Sequence, residues 1–529
     1  MNTPKTSIGK KVGLASLIMM GSVFASRIIG LAREMVIAYA GGAGGSVDAY
    51  QVSFIIPEIL NHCVASGFLT ITFIPIFSAC LARNDEDQGW RIFSIIMNAV
   101  GVFLLALTVL AFFLAPQLVD LLAPGFTDPS LKARAVRMTR IILPAQYCFF
   151  TGGLFMAVQF AKERFFIPAL APLIYNIGII AGGLVLSPYL GMEGFAWGVL
   201  FGAFTGNCLI QYLGARQVGM RIYPLFNIRN PDFIRYILLT LPLMVGLTMS
   251  FSTELLLKYF GSFLSPGNIA ALNYSLRIMF ILVGLFGQAV GVASYPYLTQ
   301  LAARGRMDEL NQLLNQTLKY LLLVIPASVL IIVLRHEIVL LLFQRGRFNA
   351  EATQLTARIL PYLMAGTFAF AAQTVVVRGY YATQNTWFPA LFSTLAVCAS
   401  LPLYYILMNL MGARGIALAL SLGAAIQVGL LFELWNRKSR NRAGRKVYGF
   451  CLKILLLSLA MGLVLTGVTS AMHRFVDATA WPGALIVSCI TGAVFLGLFV
   501  ISGSIFKIEE IDVLTRRIRS KLSGLSIRP

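Results

Sequence analysis

The sequence predicts an all-α polytopic membrane protein: fourteen transmembrane helices in two six-helix lobes, related by a pseudo-twofold axis, with two appended helices. Three observations predict this fold class, namely the composition, the recurrence of long apolar segments and an internal repeat. Of the 529 residues, 58% are hydrophobic and only 12% are charged. Soluble domains carry about 25% charged residues, so this chain has too little charge to cover a water-facing surface.

Apolar segments of about 20 residues, each long enough to cross a bilayer core of roughly 30 Å, recur along nearly the whole chain. Glycine, proline and charged residues interrupt these segments and set the boundaries of the predicted spans. The first span follows a basic N-terminus, but we interpret it as a retained helix because no soluble domain comes after it. The fourteen predicted spans cover residues 14–40, 49–82, 91–118, 133–158, 166–187, 194–214, 234–258, 268–301, 314–335, 355–382, 388–409, 414–435, 448–472 and 482–505.

An internal offset of 221 residues relates the first six predicted spans to the next six. Six helices per repeat give both lobes the same orientation in the membrane, the parallel-repeat plan of alternating-access transporters. We therefore predict an N-terminal lobe at 1–221, a C-terminal lobe at 222–446, and two appended helices with a basic tail at 447–529. Matched positions include Pro75 with Pro296, Gly125 with Gly346, Pro168 with Pro389, and Gly191 with Gly412.

The net charge of +21 is concentrated in short patches between the apolar segments. Such patches are typical of cytoplasmic loops beside anionic headgroups, and they do not indicate nucleic-acid binding. Two predicted outside loops, at 132–137 and 345–347, also carry basic residues, contrary to the rule that basic residues collect in cytoplasmic loops. The overall pattern predicts that both termini are cytoplasmic. The basic patches contain Arg216, Arg221, Arg229 and Arg235, then Arg437, Lys438, Arg440, Arg442, Arg445 and Lys446, then Arg516, Arg517, Arg519 and Lys521.

Enzyme chemistry has little support in the sequence. The loops are too short for a separate catalytic domain, and no nucleophile elbow, phosphate-binding glycine loop or Asp-rich metal motif occurs. The histidines His62, His336 and His473 lack metal-ligand spacing, and the seven cysteines form no CxxC pair. We predict neither a cofactor nor a metal, and we interpret the cysteines as small core residues.

Charged side chains inside the predicted spans are the candidate functional residues, because each costs at least about 2.5 kcal/mol at mid-bilayer. With a rise of 1.5 Å per residue, Arg27 lies roughly 20 Å below the outer end of its span and Arg277 about 14 Å below its own. We expect these arginines, one from each lobe, to meet in one cavity. Guanidinium groups there suit an anionic substrate with phosphate oxygens. The alternative is that each arginine pairs with a buried acid and only fixes packing.

Further polar residues extend this candidate set. Glu58 and His62 are an i,i+4 pair on one helix face, whereas Arg33 and Glu34 are expected to point in different directions. Asp48, at the mouth of the second span, has two open interpretations, a helix N-cap or a functional acid. Outside this set, we expect Glu254 and Lys258 to form an exposed i,i+4 pair and Arg378 to snorkel toward the interface.

Several segments together carry a family resemblance. They are SRIIGLAREMVIAYAGGAGGSVDAYQVSFIIPEIL in the first two spans, LLAPGF at 121–126, FFIPALAPLIYNIG at 165–178, and YSLRIMFILVGLFGQAVGVASYPYL and LLFQRGRF in the second half. In these segments the sequence resembles the MurJ (MviN) family, lipid II flippases of the multidrug/oligosaccharidyl-lipid/polysaccharide exporter superfamily. The resemblance extends over essentially the whole chain.

This resemblance implies a transporter in the bacterial inner membrane. It would move undecaprenyl-diphosphate-linked disaccharide-pentapeptide (lipid II) to the outer leaflet during peptidoglycan synthesis, with membrane lipids and cell-wall synthesis proteins as partners. Arg27, Arg33 and Arg277 match the family's functional arginines, and Asp48 matches its acid in the second helix. These residues, with Glu34, Glu58 and His62, would contact the diphosphate or gate the cavity, and helices thirteen and fourteen would hold the lipid tail.

The sequence departs from the family pattern at two positions. Asn61 stands where the family usually has a cavity arginine, and Leu276 replaces an acid that commonly precedes the arginine matched by Arg277. Two alternatives therefore stay open. One is export of another lipid-linked oligosaccharide for a capsule or exopolysaccharide, and the other is a non-transporting scaffold that binds lipid-linked precursors.

Overall fold

The computed structural model describes residues 5–62, 72–246 and 248–506, and within these ranges it is helical without any β-strand. The predicted all-α class is confirmed. Cys63 and the predicted basic tail lie outside the described residues. The chain divides into two compact units: unit 1 comprises Met1–Ala270 with Arg345–Phe348, and unit 2 comprises Ala271–Gln344 with Asn349–Pro529. The predicted lobe boundaries rest on the sequence repeat, whereas these two units are defined by their compactness. The lobe boundaries therefore stay a prediction.

Unit 1 begins with a long helix and continues through shorter, often consecutive helices. A π-helical turn, Phe204–Leu209, joins α10 to α11 without a break. The helices are α1 (Lys5–Gly41), α2 (Gly45–Val52), α3 (Ile55–Leu60), α4 (Ile74–Ala82), α5 (Glu86–Phe113), α6 (Ala115–Leu122), α7 (Pro129–Ile142), α8 (Ala145–Ala161), α9 (Phe166–Leu190), α10 (Glu193–Ala203), α11 (Ile210–Gln217), α12 (Pro231–Gly246) and α13 (Thr248–Gly261).

Unit 2 contains the remaining helices, and the first turn of α14 still belongs to unit 1. A second π-helical turn, Val283–Gln288, joins α14 to α15. The helices are α14 (Asn268–Leu282), α15 (Ala289–Ala303), α16 (Met307–Leu322), α17 (Val324–Val333), α18 (Arg335–Phe343), α19 (Ala350–Met364), α20 (Thr367–Ala382), α21 (Trp387–Met411), α22 (Ala413–Lys438), α23 (Arg445–Met472) and α24 (Trp481–Ile505).

Wherever its residues are described, each predicted span coincides with one helix or with consecutive helices; residues 63–71 of the second span and residue 247 of the seventh lie outside the described chain. Nine of the described helical segments are long and apolar enough to cross a membrane, or ten if α19 and α20, bent by 43°, form one broken span. The chain is therefore a multi-pass membrane protein, and the count of fourteen spans stays a prediction. The helix bounds also follow the offset of 221 residues, because α9 covers Phe166–Leu190 and α21 covers Trp387–Met411.

The residues that end α9 and α21 adopt the same backbone conformation. Gly191 has φ 57° and ψ −135°, and Gly412 has φ 62° and ψ −134°. A positive φ is disfavoured for residues with a Cβ atom, so glycine is the natural residue at both positions. The same backbone requirement therefore explains why glycine occurs at both of these matched positions of the internal repeat.

Small residues allow the close packing of α9 on α10 and α1 in unit 1. A Cβ atom placed on Gly178 would lie 2.5 Å from Gly202 Cα, and one on Gly198 would lie 2.8 Å from the carbonyl oxygen of Gly178. On the neighbouring side, the buried Ser22 hydroxyl of α1 donates to the carbonyl oxygen of Ala169. These contacts fix the position of α1, which carries several candidate site residues.

In unit 2, the helices predicted as appended, α23 and α24, pack against α17 and α18. Met461, Leu465 and Phe495 form a small apolar cluster between them. A buried carboxylate adds a polar contact, since Glu337 on α18 lies 2.7 Å from Nε2 of His473 at the end of α23. An apolar cluster and a polar contact therefore both hold the appended helices within unit 2.

The glycine packing predicts opposite effects for two Gly→Ala substitutions. Gly198→Ala should lower the thermal unfolding midpoint of the detergent-purified protein, because the new methyl group would meet backbone atoms of α9. Gly429→Ala on α22 is the matched control: its Cβ would have open space, and alanine favours a helix by up to about 1 kcal/mol over glycine. A Gly198→Ala protein as stable as the wild type would contradict the packing argument.

Candidate functional site

Arg33 on α1 is half-buried and held by two protein groups. Its Nη2 donates to Oε1 of Glu34 at 2.6 Å, and its Nη1 donates to Oδ1 of Asn176 on α9 at 3.0 Å. The prediction that Arg33 and Glu34 point in different directions is wrong. Their Cβ atoms do leave the helix in different directions, but the long flexible stem of arginine brings the guanidinium back to the neighbouring carboxylate.

Asn176 and Tyr175 are residues that the sequence reasoning missed. The Asn176 amide nitrogen donates to the carbonyl oxygen of Pro172 at 2.8 Å and to the Ser26 hydroxyl at 3.4 Å. These bonds fix the side chain so that its oxygen faces Arg33. The Tyr175 ring packs edge-on against Phe149, with the ring centroids 5.3 Å apart. The adjacent polar pair Tyr-Asn inside an otherwise apolar span was the available signal.

Arg27 differs from Arg33 in having an exposed side chain. Among the described residues, no hydrogen bond or ion pair involves its guanidinium. Arg27 lies on the helix that covers the first predicted span, roughly 20 Å from the C-terminal end of that helix by the rise per residue. Arg27 is therefore an exposed cation on the helix that covers the first predicted span.

Lys258 on α13 is buried, contrary to the prediction from the sequence. With 2% of its side chain exposed, it is buried, so the prediction of an exposed pair with Glu254 is wrong. Its Nζ lies 3.3 Å from Oε2 of Glu58 on α3 and 3.6 Å from Oε2 of Glu254. An i,i+4 spacing is the same for exposed and buried pairs, and the third partner on α3 can be found only from the tertiary structure.

His62 and Asn61 follow α3 directly, and both are half-buried. Nδ1 of His62 lies 2.8 Å from the backbone carbonyl oxygen of Glu58. A carbonyl oxygen only accepts hydrogen bonds, so Nδ1 carries the hydrogen in this contact. Glu58 and His62 therefore do approach each other, but through the Glu58 backbone, while the Glu58 carboxylate binds Lys258.

Asp48 on α2 is 2% exposed, and both of its carboxylate oxygens accept hydrogen bonds from backbone amides. Oδ1 accepts from Ala270 N at 2.7 Å, and Oδ2 accepts from Gly267 N. Asp48 does not cap its own helix, whose N-cap residue is Gly44. It instead satisfies amides at the start of α14, where a carboxylate also complements the helix dipole.

Backbone contacts surround Asp48 in unit 1. Gly267 has φ 97°, and a Cβ atom there would lie 2.4 Å from the carbonyl oxygen of Ala43. Arg347 N donates to the carbonyl oxygen of Tyr39 at 2.9 Å, and Gly125 N donates to the Ser262 hydroxyl at 3.1 Å. We call these contacts, with those of Asp48, the loop network. It joins segments that the orientation prediction puts on the outer side.

The candidate arginine Arg277 and the non-candidate Arg378 both lie in unit 2. Arg277 is half-buried on α14, and its predicted convergence with Arg27 stays a prediction. Arg378 on α20 packs against Gly291, and its Nη1 is buried without a hydrogen-bond partner among the described residues. The expectation that Arg378 snorkels toward the interface stays a prediction. The described residues contain no group of three or more His, Cys, Asp or Glu side chains placed to hold a metal ion.

The burial of Lys258 predicts a large loss of stability for Lys258→Met. Removing one partner of a buried ion pair costs about 3–5 kcal/mol, so the thermal unfolding midpoint of the purified protein should fall clearly. Lys258→Met combined with Glu254→Gln should recover part of the loss, because one carboxylate is removed as well. Lys132→Met is the control, since Lys132 is 38% exposed in its pair with Asp120. A midpoint that falls equally for both lysines would contradict the special role of burial.

Relatives with curated names match most of the chain. A probable lipid II flippase MurJ of Thermotoga maritima is 28% identical over 508 residues, which is 93% of this chain and 96% of the relative. A probable lipid II flippase MurJ of Rhizobium tropici is 28% identical over 428 residues, covering 79% of this chain and 80% of the relative. The lipid II flippase MurJ of Burkholderia cenocepacia is 27% identical over 426 residues.

Solved structures share the fold. A structure titled lipid II flippase MurJ, inward closed conformation, superposes with a TM-score of 0.74 at 24% identity, covering 93% of this chain and 99% of that one. An inward-facing multidrug resistance MATE family transporter of the MOP superfamily superposes with a TM-score of 0.66 at 13% identity, covering 80% of this chain and 96% of that one.

The family model for MurJ, described as lipid II flippase MurJ, matches residues 37–483. This range contains most of the candidate site, including Asp48, Glu58 and Lys258. The match covers most of the chain, and members of this family are inner-membrane transporters, not enzymes. The chain belongs to the MurJ family of membrane transporters.

Proposed function

We propose that this protein moves lipid II from the inner to the outer leaflet by alternating access, with cavity arginines binding the diphosphate. Membership of the MurJ family and relatives named lipid II flippases support this cargo. The observation that carries the mechanism is the exposed guanidinium of Arg27, on the helix of the first predicted span, without a bond to any described residue. Such a group gains most from an anionic substrate that replaces its lost hydration.

The diphosphate binds first at Arg27. A guanidinium presents a planar set of donors that matches two phosphate oxygens at once, and such bidentate pairs are the stronger hydrogen bonds. Arg33 and Lys258 already have carboxylate partners, at 2.6 Å and 3.3 Å. Of these three described cations, Arg27 is therefore the one that binds substrate without first breaking a protein ion pair.

Arg33 joins the site by exchanging partners. An arriving diphosphate competes with Glu34 for Nη2, while the bond from Nη1 to Asn176 keeps the guanidinium oriented. Glu58, Asn61 and His62 are further proposed lining residues, and Arg277 supplies the second arginine from the C-terminal lobe. The prenyl chain stays in lipid beside the helices predicted as appended.

The loop network closes the outer side while the substrate binds from the cytoplasmic side, where both termini lie in our proposal. Asp48 holds this closure through the amides of Gly267 and Ala270. Opening requires these amides to find other partners, such as water. With no nucleotide motif in the sequence, a membrane potential or an ion gradient supplies the energy, and one charge moved across 100 mV is worth about 2.3 kcal/mol.

Arg27→Ala should abolish headgroup translocation in proteoliposomes, while the amount of folded protein stays at the wild-type level. Arg27→Lys should keep part of the activity, because a lysine retains the charge but not the bidentate geometry. Arg164→Ala, at an exposed position before α9, is the control and should leave transport unchanged. Full transport by Arg27→Ala would refute the anion-binding mechanism.

The same assay separates the alternative functions. Binding of lipid II without translocation by the wild-type protein would favour a scaffold. Translocation of a different prenyl-diphosphate saccharide, with lipid II inert, would favour export of a capsule or exopolysaccharide unit. Mass spectrometry of the prenyl-diphosphate lipid that co-purifies with the protein identifies the cargo directly, which matters because Asn61 and Leu276 depart from the family pattern.

Asp48→Ala should loosen the outer closure, because the amides of Gly267 and Ala270 lose their acceptor. In a cysteine-free background, a cysteine introduced at Ala43 should then react faster with a membrane-impermeant maleimide added from outside. Asp120→Ala removes an exposed carboxylate and serves as the control. Equal labelling rates in wild-type and Asp48→Ala backgrounds would rule out a closing role for Asp48.

A further inference from the structure

A strongly basic loop connects α22 to α23 in unit 2. We define the basic loop as residues 437–446, which comprise the last two residues of α22, the connection itself and the first two residues of α23. Six of its ten side chains are cationic, and all six are exposed. Arg437 pairs with Glu433 at 2.9 Å, and within the part of the chain that the structure describes no acid pairs with the other five. The six cations are Arg437, Lys438, Arg440, Arg442, Arg445 and Lys446.

The position of the basic loop is fixed by its flanking helices. Both α22 and α23 are long and apolar enough to cross a membrane, so the short connection between them lies at a membrane face. Aromatic residues accompany it: Lys438 Nζ lies 5.6 Å from the ring centroid of Phe388, and Trp387 and Tyr448 are exposed. Exposed aromatic rings are typical of the headgroup level of a bilayer.

Buried amides hold the basic loop in one conformation. Asn441 and Asn315 exchange two hydrogen bonds, each of 2.9 Å. Ser439 donates to Oδ1 of Asn311 at 3.0 Å, and the Trp435 indole donates to the same oxygen at 2.9 Å. A loop that only had to be positively charged would not need this internal network.

Arg440 is the left-handed residue that follows the end of α22. Arg440 has φ 55°, in the left-handed region that favours glycine and disfavours other residues. A residue in this conformation commonly ends a helix, and here Asn441 N donates to the backbone carbonyl oxygen of Asn436 at 2.9 Å, so the chain turn that presents Arg440 is fixed. Gln384, at φ 58° in the same unit, provides an uncharged residue in the same conformation for comparison.

We propose that the basic loop is a preformed binding site for the phosphate headgroup of an anionic phospholipid. Its cations lie at headgroup depth, its conformation is fixed before binding, and guanidinium groups match phosphate oxygens. An acidic protein would satisfy the charge as well, but the depth of the basic loop between two spans favours the lipid. This site is separate from the transport site and does not depend on the cargo.

The test is native mass spectrometry of the full-length protein titrated with phosphatidylglycerol or with phosphatidylcholine. The wild type should bind phosphatidylglycerol more tightly. Arg440→Gly should weaken this binding about fivefold, the effect of one cation at a membrane surface, without lowering the thermal unfolding midpoint. Gln384→Gly should change neither property. Asn441→Ala keeps every charge but removes the amide network, so it should also weaken phosphatidylglycerol binding.

Three results would overturn the proposal. The first is equal affinity of the wild type for the two lipids. The second is wild-type affinity of Arg440→Gly for phosphatidylglycerol, which decides the question even if Asn441→Ala fails to fold. The third is a polyglutamate peptide that displaces phosphatidylglycerol from the wild type but binds Arg440→Gly weakly, because that would assign the basic loop to an acidic protein partner.

Discussion

The free-energy cost of an unmatched charge in an apolar span is the constraint on which the organisation of unit 1 depends. Arg33 meets this constraint through Glu34 and Asn176, and Lys258 meets it through Glu58 and Glu254. Arg27 has instead an exposed side chain and no bond to a described residue. Arg33 and Lys258 are therefore held by protein groups, whereas the exposed Arg27 is the cation that binds the anionic substrate in our proposal.

A second level of organisation rests on the backbone. The loop network uses amides and carbonyls of glycine-containing segments, and Asp48 is the side chain that binds two of the amides. Backbone contacts at Gly267 leave no space for a Cβ atom, so they are specific for glycine. Each backbone hydrogen bond of the loop network is weak on its own. Such contacts are suited to an interface that opens and closes, since water can replace each bond at modest cost.

Much of the fold could be predicted from the sequence because span length and glycine position are local properties. Phe166–Leu190 and Trp387–Met411 follow the offset of the repeat, and Gly191 and Gly412 share one backbone conformation. The charged site could be predicted only in part. The burial of Lys258, the amide partners of Asp48 and the contact of Asn176 with Arg33 all join residues distant in sequence, and no local spacing encodes them.

Chemical modification of arginine tests the distinction between Arg27 and Arg33 most directly. Phenylglyoxal reacts with accessible guanidinium groups, and mass spectrometry of the digested protein reports each arginine separately. We predict that Arg27 reacts readily in the detergent-solubilised protein, that Arg33 reacts slowly, and that added lipid II protects Arg27. Equal modification of Arg27 with and without lipid II would contradict the role of its guanidinium as the open anion-binding group.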